Sequence, residues 1–321
     1  MSERPVASDP SAPAGHLPRV AGEGKRGRWT GDLAAVVGTL LMGSSYPFAK
    51  EVLAAMSPLL YSASRYVIAG VVLMAAMALL RRSVPIARRD WLPLIGLALV
   101  GVTAFQAFWG LGIARSSPSL GAIVMSTTTA FSAILATLAG RRLPALGWAG
   151  IVIAFAGVVL VVNNSLSEIT FAAASVEGTL LWLAAALSWA IYVERCAPYN
   201  ERLGALPVMA WTTFLGALLL LPIALLFDSP AEFANLDVRL GLFWLYTGVF
   251  PVGVAYICLT FGLDRLGTGR VMAYMYVIPV AAVGLSAAFF DDPLTWARIL
   301  GGLIVLLGVI LTRVALDRSQ A

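Results

Sequence analysis

Uncharged polar and aromatic side chains interrupt several long apolar segments of this 321-residue chain. Within a bilayer, such groups must bond to a neighbouring group or face a water-filled cavity. A cavity of this kind could hold a small molecule by hydrogen bonds and by contact with aromatic faces. The residues that we predict to bind such a molecule are Ser44, Gln106, Trp109, Thr128, Trp189 and Tyr276.

Each of these residues also has a structural interpretation. A serine or threonine in a helix commonly bonds a carbonyl of the preceding turn, or joins two helices. The deeper aromatic residues could equally be packing residues, so both interpretations stay open for Trp109, Trp189 and Tyr276. Three prolines remove backbone donors inside apolar segments, and we predict that they act as hinges or static kinks. These prolines are Pro47, Pro251 and Pro279.

The composition excludes a soluble protein. Hydrophobic residues make up 60% of the chain and charged residues 12%, whereas a soluble domain carries about 25% charged residues. The formal net charge of +5 comes from arginines in short loops beside apolar segments, so it indicates membrane topology rather than a nucleic-acid partner. The predicted partners are the lipid bilayer and a small molecule.

Residues for other chemistries are missing from the sequence. The single histidine, His16, lies in the N-terminal tail, and no carboxylate lies in the middle of an apolar segment. There is no Gly-x4-Gly-Lys-Ser/Thr phosphate loop. We therefore predict no catalytic residues, no metal site and no cofactor. The uncharged interior favours neutral or zwitterionic substrates and is compatible with facilitated diffusion, since proton-coupled export of cations would need a buried acid.

Ten apolar segments are long enough to cross the ~30 Å hydrocarbon layer as helices. Most connections between them are short, which predicts that neighbouring helices are antiparallel. The predicted spans are residues 31–53, 57–80, 91–114, 118–139, 145–163, 177–196, 204–227, 238–262, 268–290 and 294–314.

The basic residues predict the orientation of these spans. With the N-terminus in the cytoplasm, seventeen of the 22 Lys and Arg residues fall on the cytoplasmic side, as the positive-inside rule requires. Both termini are therefore predicted to be cytoplasmic. The five basic residues assigned to the outer side are Lys50, Arg65, Arg115, Arg239 and Arg298.

Two stretches about 150 residues apart are similar, and the turn within each carries the opposite charge. Residues 112–162 hold the pair Arg141–Arg142 in this turn, whereas residues 262–312 hold Asp291–Asp292. Because basic residues collect in cytoplasmic loops, the two copies are predicted to lie in the membrane in opposite senses. The aligned glycines are Gly112 with Gly262, Gly150 with Gly301, and Gly157 with Gly308.

The predicted fold is an all-α integral membrane protein of ten transmembrane helices, arranged as two inverted five-helix repeats. An odd number of spans in each repeat requires the inversion. The first repeat covers residues 31–163 and the second covers residues 177–314. Residues 1–30 are predicted to form a disordered, basic cytoplasmic tail.

The chain resembles the EamA-type branch of the drug/metabolite transporter (DMT) superfamily over about residues 31–314. The resemblance rests on the ends of both repeats, AGRRLPALGWAG and FFDDPLTWARILGG, and on GSSYPFAK at residues 43–50. The richness in Trp, Tyr and Phe is further similar to YddG-type exporters of aromatic amino acids. The resemblance implies a transporter with its substrate near the midplane between the repeats.

These observations together favour a transporter in a bacterial inner membrane. It would export small neutral or zwitterionic metabolites, amino acids including aromatic ones, by alternating access through a central cavity. The alternative within the superfamily is an exporter of other metabolites or drugs. Two remote alternatives are an intramembrane lipid-modifying enzyme and a membrane scaffold. The enzyme would need converging nucleophiles, acids or metal ligands, which the sequence does not offer. A scaffold would not need the polar residues found within the apolar segments. We do not predict an enzyme, and a monomer is compatible with the sequence.

Overall fold

The protein is helical throughout the part that the computed structural model describes, and this part contains no strand. The described residues are 25–140, 143–163, 173–266, 271, 274–290 and 294–319. Their main helices in chain order are α1 (Lys25–Val52), α2 (Pro58–Leu79), α3 (Arg88–Ala114), α4 in two parts (Pro118–Met125 and Thr128–Leu138), α5 (Ala145–Asn163), α6 (Ala173–Leu203), α7 (Ala205–Phe227), α8 (Val238–Leu266), α9 (Val277–Phe289) and α10 (Trp296–Ser319).

The helix ends differ from the predicted spans where polar residues continue a helix beyond its apolar part. α1 begins at Lys25 rather than at residue 31, and α6 ends at Leu203 rather than at residue 196. An apolar stretch marks only the part of a helix that can lie in hydrocarbon. It therefore does not predict the polar turns with which a helix begins or ends. The tail before residue 25 and the charged turns at 141–142 and 291–292 lie outside the described residues.

Six of the described helices are long and apolar enough to cross a bilayer, namely α2, α3, α4, α6, α7 and α8. Shorter apolar helical stretches occur in α5, α9 and α10. A chain with this many apolar helices is a multi-pass integral membrane protein. The count of ten crossings and the side of the termini stay predictions.

The two halves of the chain repeat the same irregularities of helix geometry. A π-helical segment at Leu99–Ala104 interrupts α3, and a second one at Val249–Val254 interrupts α8, 150 residues later. The fourth helix breaks at residues 126–127, and a turn at residues 275–276 precedes α9. Matching π segments and breaks indicate an internal structural repeat and not only a similarity of sequence.

α5 and α10 cross at the glycines that the sequence aligned between the halves. A Cβ atom on Gly150 would lie 2.6 Å from the Gly308 oxygen, and one on Gly157 would lie 2.7 Å from the Gly301 oxygen. The numbers rise along one helix as they fall along the other, so the helices are antiparallel. Gly150 meets Gly308, the counterpart of Gly157, and Gly157 meets Gly301, the counterpart of Gly150. A two-fold axis between the repeats produces this exchange of partners.

Contacts elsewhere follow the same repeat relation. α1 packs against α8 and α9, while the corresponding helix α6 packs against α3 and α4. α2 packs along α7. This packing brings parts of α1, α2, α3 and α8 together around one buried polar group.

Candidate functional site

A buried arginine in α2 is the main departure from the predicted site. Arg65 was assigned above to the outer side, yet it is only 1% exposed and lies seven residues after Pro58. At a rise of 1.5 Å per residue, this places it about 10 Å along the helix from its start. The prediction of an uncharged interior was therefore wrong, because the loop-charge count assigned this residue to a segment end and not to the helix that contains it.

The guanidinium group of Arg65 is held by neutral acceptors from three helices. Its Nη1 donates to Ser45 Oγ at 2.9 Å and to Tyr61 Oη at 3.3 Å, and its Nη2 donates to Gln106 Oε1 at 2.8 Å. Nε has no hydrogen-bond partner among the described residues. No carboxylate of the described part contacts this cation.

Aromatic rings surround the same guanidinium group. Its Cζ lies 4.1 Å from the centroid of the Trp109 ring, 4.9 Å from that of Tyr61 and 5.3 Å from that of Tyr66. Rings at these distances attract the cation through their electron-rich faces. The Arg65 cluster is defined here as Arg65, Ser45, Tyr61, Tyr66, Gln106 and Trp109.

Two of the predicted binding residues belong to this cluster. Both ends of the Gln106 amide are fixed, since its Oε1 accepts from Arg65 and its Nε2 donates to Tyr66 Oη at 2.6 Å. Trp109 covers the guanidinium group and also packs on Tyr46, with ring centroids 5.5 Å apart. The structure thus brings Gln106 and Trp109 together, as one site requires.

Ser44 lies beside the Arg65 cluster but bonds in another direction. Its hydroxyl donates to the Leu41 carbonyl at 2.7 Å and lies 2.8 Å from the Tyr246 hydroxyl of α8. The neighbouring Ser45 is the residue that contacts Arg65. Ser44 therefore connects α1 to α8 in this structure.

Trp189 lies in α6 and joins the cluster through other aromatic residues. Its ring centroid is 5.1 Å from that of Phe105, 5.0 Å from that of Tyr192 and 6.4 Å from that of Tyr256. Tyr256 lies in the same hydrophobic core as Tyr66 of the cluster, and Trp189 packs against that core. A continuous aromatic wall therefore leads from Trp189 to the Arg65 cluster.

Thr128 and Tyr276 lie at the helix breaks and not in the cluster. The Thr128 hydroxyl donates to the Met125 carbonyl at 2.7 Å, which is the local bond of the structural interpretation. Tyr276 is partly buried and packs against the hydrophobic core that contains Tyr46 and Trp109. The binding role of both residues stays a prediction.

The three prolines occupy different positions in their helices. Pro47 lies inside α1, and Pro251 lies in the π segment of α8. Gly101 occupies the equivalent place in the π segment of α3, so a π segment forms here without proline. Pro279 lies in the first turn of α9, where a missing N–H breaks no helical bond. Hinge action of these prolines stays a prediction.

Among the described residues, the carboxylates that form ion pairs lie toward the helix ends, and none of them pairs with Arg65. Asp264 pairs with Arg82 at 2.6 Å, and Glu51 pairs with Arg239 at 3.0 Å. Within the described ranges, no cluster of three His, Cys, Asp or Glu side chains could hold a metal ion.

The sequence itself carries a signal for Arg65. An ionisable residue inside an apolar span is expensive to bury and by default marks a functional site. Arg65 lies well inside the span predicted at residues 57–80. Its position within an apolar span therefore marks it as a candidate site residue, which the charge of neighbouring loops does not show.

A second feature is an aromatic cleft of about 300 Å³ between α1, α8 and α9. Phe48 is central to it, and its ring packs on those of Phe243 and Phe290 at centroid distances of 4.8 and 5.3 Å. None of the predicted binding residues lines this cleft. Its lining residues are Phe48, Arg239, Phe243, Leu285, Phe289 and Phe290.

Two proteins of similar sequence are described as a transporter and as an efflux pump. A protein of Archaeoglobus fulgidus described as an uncharacterized transporter is 27% identical over 275 residues, which cover 85% of this chain and 93% of that protein. A probable amino-acid metabolite efflux pump of Escherichia coli K12 is 26% identical over 291 residues, covering 88% of this chain and 94% of the pump.

Comparison with solved structures supports the same fold. One crystal structure superposes with a TM-score of 0.61 at 22% sequence identity, covering 91% of this chain and 97% of the other. The sequence profile of the EamA-like transporter family matches residues 29–163 and again residues 176–314. The chain therefore belongs to the EamA-like transporter family, within the drug/metabolite transporter superfamily.

Proposed function

We propose that this protein exports small metabolites, amino acids including aromatic ones, across a bacterial cell membrane by alternating access. The observation that carries the proposal is the enclosed Arg65 cluster, in which hydrogen-bonding groups and aromatic rings meet in the buried interior of the helices. An amino acid presents a polar backbone and, in aromatic cases, a flat apolar side chain. Ring pairs add about 0.5–1.5 kcal/mol beyond the burial of area.

Two further observations support a transporter of this kind. One relative that covers nearly the whole chain is described as a probable amino-acid metabolite efflux pump. The symmetric crossing of α5 and α10 fits two inverted repeats, and substrate sites of such transporters lie between the repeats. We propose ten crossings with both termini in the cytoplasm on the same grounds.

Alternating access requires that contacts at the two ends of the protein break in turn. Arg82–Asp264 joins the C-terminal ends of α2 and α8, whereas Arg239–Glu51 joins the opposite end of α8 to α1. Exposed pairs of this type contribute only about 0–1 kcal/mol each. They could hold one end closed without preventing it from opening.

The proposal is tested with purified protein in liposomes loaded with radiolabelled phenylalanine. Efflux down the concentration gradient should exceed that of protein-free liposomes, without any added energy source and without chemical change of the amino acid. Threonine and a panel of other metabolites define the substrate range. A protein that moves no amino acid in this assay would refute the proposal.

A further inference from the structure

Arg65 is a cation that has no counter-ion among the described residues. An arginine side chain stays protonated in proteins, so its charge cannot be removed by losing a proton. The groups that contact it are two hydroxyls, one amide oxygen and three aromatic rings, all neutral. A buried charge is normally paired, and a cation without a partner of its own is available to an anion that comes from outside.

We infer that Arg65 binds the carboxylate of the transported molecule, and that the site does not require the ammonium group of an amino acid. This inference rests on the proposed function and narrows it to a substrate class. Monocarboxylates with an apolar side chain should bind whether or not they carry an amino group. Amines without a carboxylate should bind much more weakly than these carboxylates.

The free donors of Arg65 suit a carboxylate. A guanidinium group has five N–H donors in a planar fork. Three bonds to described residues occupy Nη1 and part of Nη2, which leaves the N–H of Nε and one N–H of Nη2 without a partner there. Two donors of one guanidinium group can hold both oxygens of a carboxylate. The rings of Trp109 and Tyr61 lie over the guanidinium group, which is buried.

No carboxylate of the described part forms an ion pair or a hydrogen bond with a residue of the Arg65 cluster, so none is placed there for the ammonium group of an amino acid. Asp264 and Glu51 are engaged with Arg82 and Arg239 near the helix ends. The oxygen of Gln106 is already used by Arg65. Arg65 therefore recognises the carboxylate of the substrate by charge, and no group of the cluster recognises the ammonium group in the same way.

A purely structural role for Arg65, as a joint between α1, α2 and α3, makes different predictions. If Arg65 only holds these helices together, a carboxylate introduced beside it would strengthen that contact and leave transport unchanged. An anion-binding site would be blocked by the same change, because the cation would already be neutralised. Gln106→Glu makes this change at the 2.8 Å contact with almost no change of size.

The first measurement uses the unaltered protein. Binding of L-phenylalanine, 3-phenylpropanoate and 2-phenylethylamine to detergent-purified protein is measured by calorimetry, and each is tested as a competitor of labelled phenylalanine uptake in liposomes. We expect the two carboxylates to bind and compete. We expect the amine to bind at least about thirtyfold more weakly, as for loss of one partner of a buried, hydrogen-bonded charge pair.

The second measurement compares variants. Gln106→Glu should lose carboxylate binding by a similar factor while remaining folded by size-exclusion chromatography. Gln106→Met removes the same amide without adding charge and should keep more binding than Gln106→Glu. Arg65→Lys keeps the charge but loses the fork, and should weaken binding. Arg195→Gln removes an exposed arginine of α6 and serves as the matched control.

The outcomes separate this inference from the proposed function. If the amine competes as well as the acid, or if Gln106→Glu binds 3-phenylpropanoate as Gln106→Met does, the inference is wrong and amino-acid transport can stand. If the parent protein binds 3-phenylpropanoate but moves no phenylalanine, amino-acid export is wrong and the carboxylate site stands. Binding of none of the three probes would overturn both.

Discussion

The crossing of α5 and α10 gives a sharp prediction about stability. In Gly157→Ala, the new Cβ would lie 2.6 Å from the Val305 nitrogen and 2.7 Å from the Gly301 oxygen. Ordinary contacts begin at 3.4 Å, so the helices would have to separate by up to about 0.8 Å. Both obstacles are backbone atoms, which cannot rotate away as a flexible side chain can.

The expected magnitude is a balance of two effects. Overpacking of a close contact costs about 1–3 kcal/mol, while replacing a helical glycine by alanine gains roughly 0.5–1 kcal/mol. We expect Gly157→Ala to lower the free energy of unfolding by about 1–2 kcal/mol. Thermal unfolding of the detergent-purified protein, followed by tryptophan fluorescence, would show this as a melting temperature a few degrees lower.

Two other glycines provide the controls. Gly284 is exposed on α9, and a Cβ there would meet nothing within 4 Å, so Gly284→Ala should be as stable as the parent or more stable. Gly308 is the repeat counterpart of Gly157, and its Cβ would lie 2.5 Å from the Gly150 oxygen. Gly308→Ala should therefore lose as much stability as Gly157→Ala. Parent-like stability of Gly157→Ala, or a loss confined to one of the pair, would refute the symmetric crossing.

Further predictions concern topology, energy and the substrate site. A single cysteine at Arg142 should be labelled by an impermeant maleimide only from the cytoplasm, and one at Asp292 only from outside; labelling of both from one side would contradict the inverted repeats. Dissipating the proton gradient should leave phenylalanine flux largely intact in liposomes, and a strict requirement for that gradient would reveal a proton carrier. Trp109→Ala and Trp189→Ala should weaken phenylalanine transport roughly two- to twelvefold, and threonine transport less. Parent-like transport of both amino acids would identify these tryptophans as packing residues.

Much of the helical framework could be predicted because lipid imposes a simple rule on sequence. A membrane span must be apolar for about 20 residues, and α2, α3, α7 and α8 follow that pattern closely. The aligned glycines also predicted equivalent positions in α5 and α10. The π segments could not be predicted, since the shift from one hydrogen-bonding pattern to the next leaves composition and hydropathy unchanged.

The site was harder to predict because its contacts join residues that are far apart in sequence. Gln106 and Trp109 could be singled out because polar and aromatic side chains in an apolar span need partners. Nothing in the sequence says that Ser44 meets Tyr246, 202 residues away, or that Ser45 rather than Ser44 meets Arg65. Polarity in an apolar span identifies candidate site residues, but the packing of the helices decides which of them contact each other.

Two sets of hydrogen bonds at the site differ in strength. Arg65 bonds to Ser45, Tyr61 and Gln106, and all four residues belong to the first half of the chain. Bonds of this set involve a charged donor and contribute about 1.5–3 kcal/mol each. The guanidinium group is thus held by one half of the protein.

The second set of bonds joins the two halves through uncharged hydroxyl groups. Tyr61 donates to Thr247 at 3.0 Å, and the hydroxyls of Ser44 and Tyr246 lie 2.8 Å apart. Neutral hydrogen bonds of this kind contribute only about 0.5–1.5 kcal/mol each. If the halves move against each other during transport, these weaker bonds should break first. Arg65 and a carboxylate bound to it would then stay with the first half while α8 moves away, so the anion would keep its partner as access changes from one side to the other.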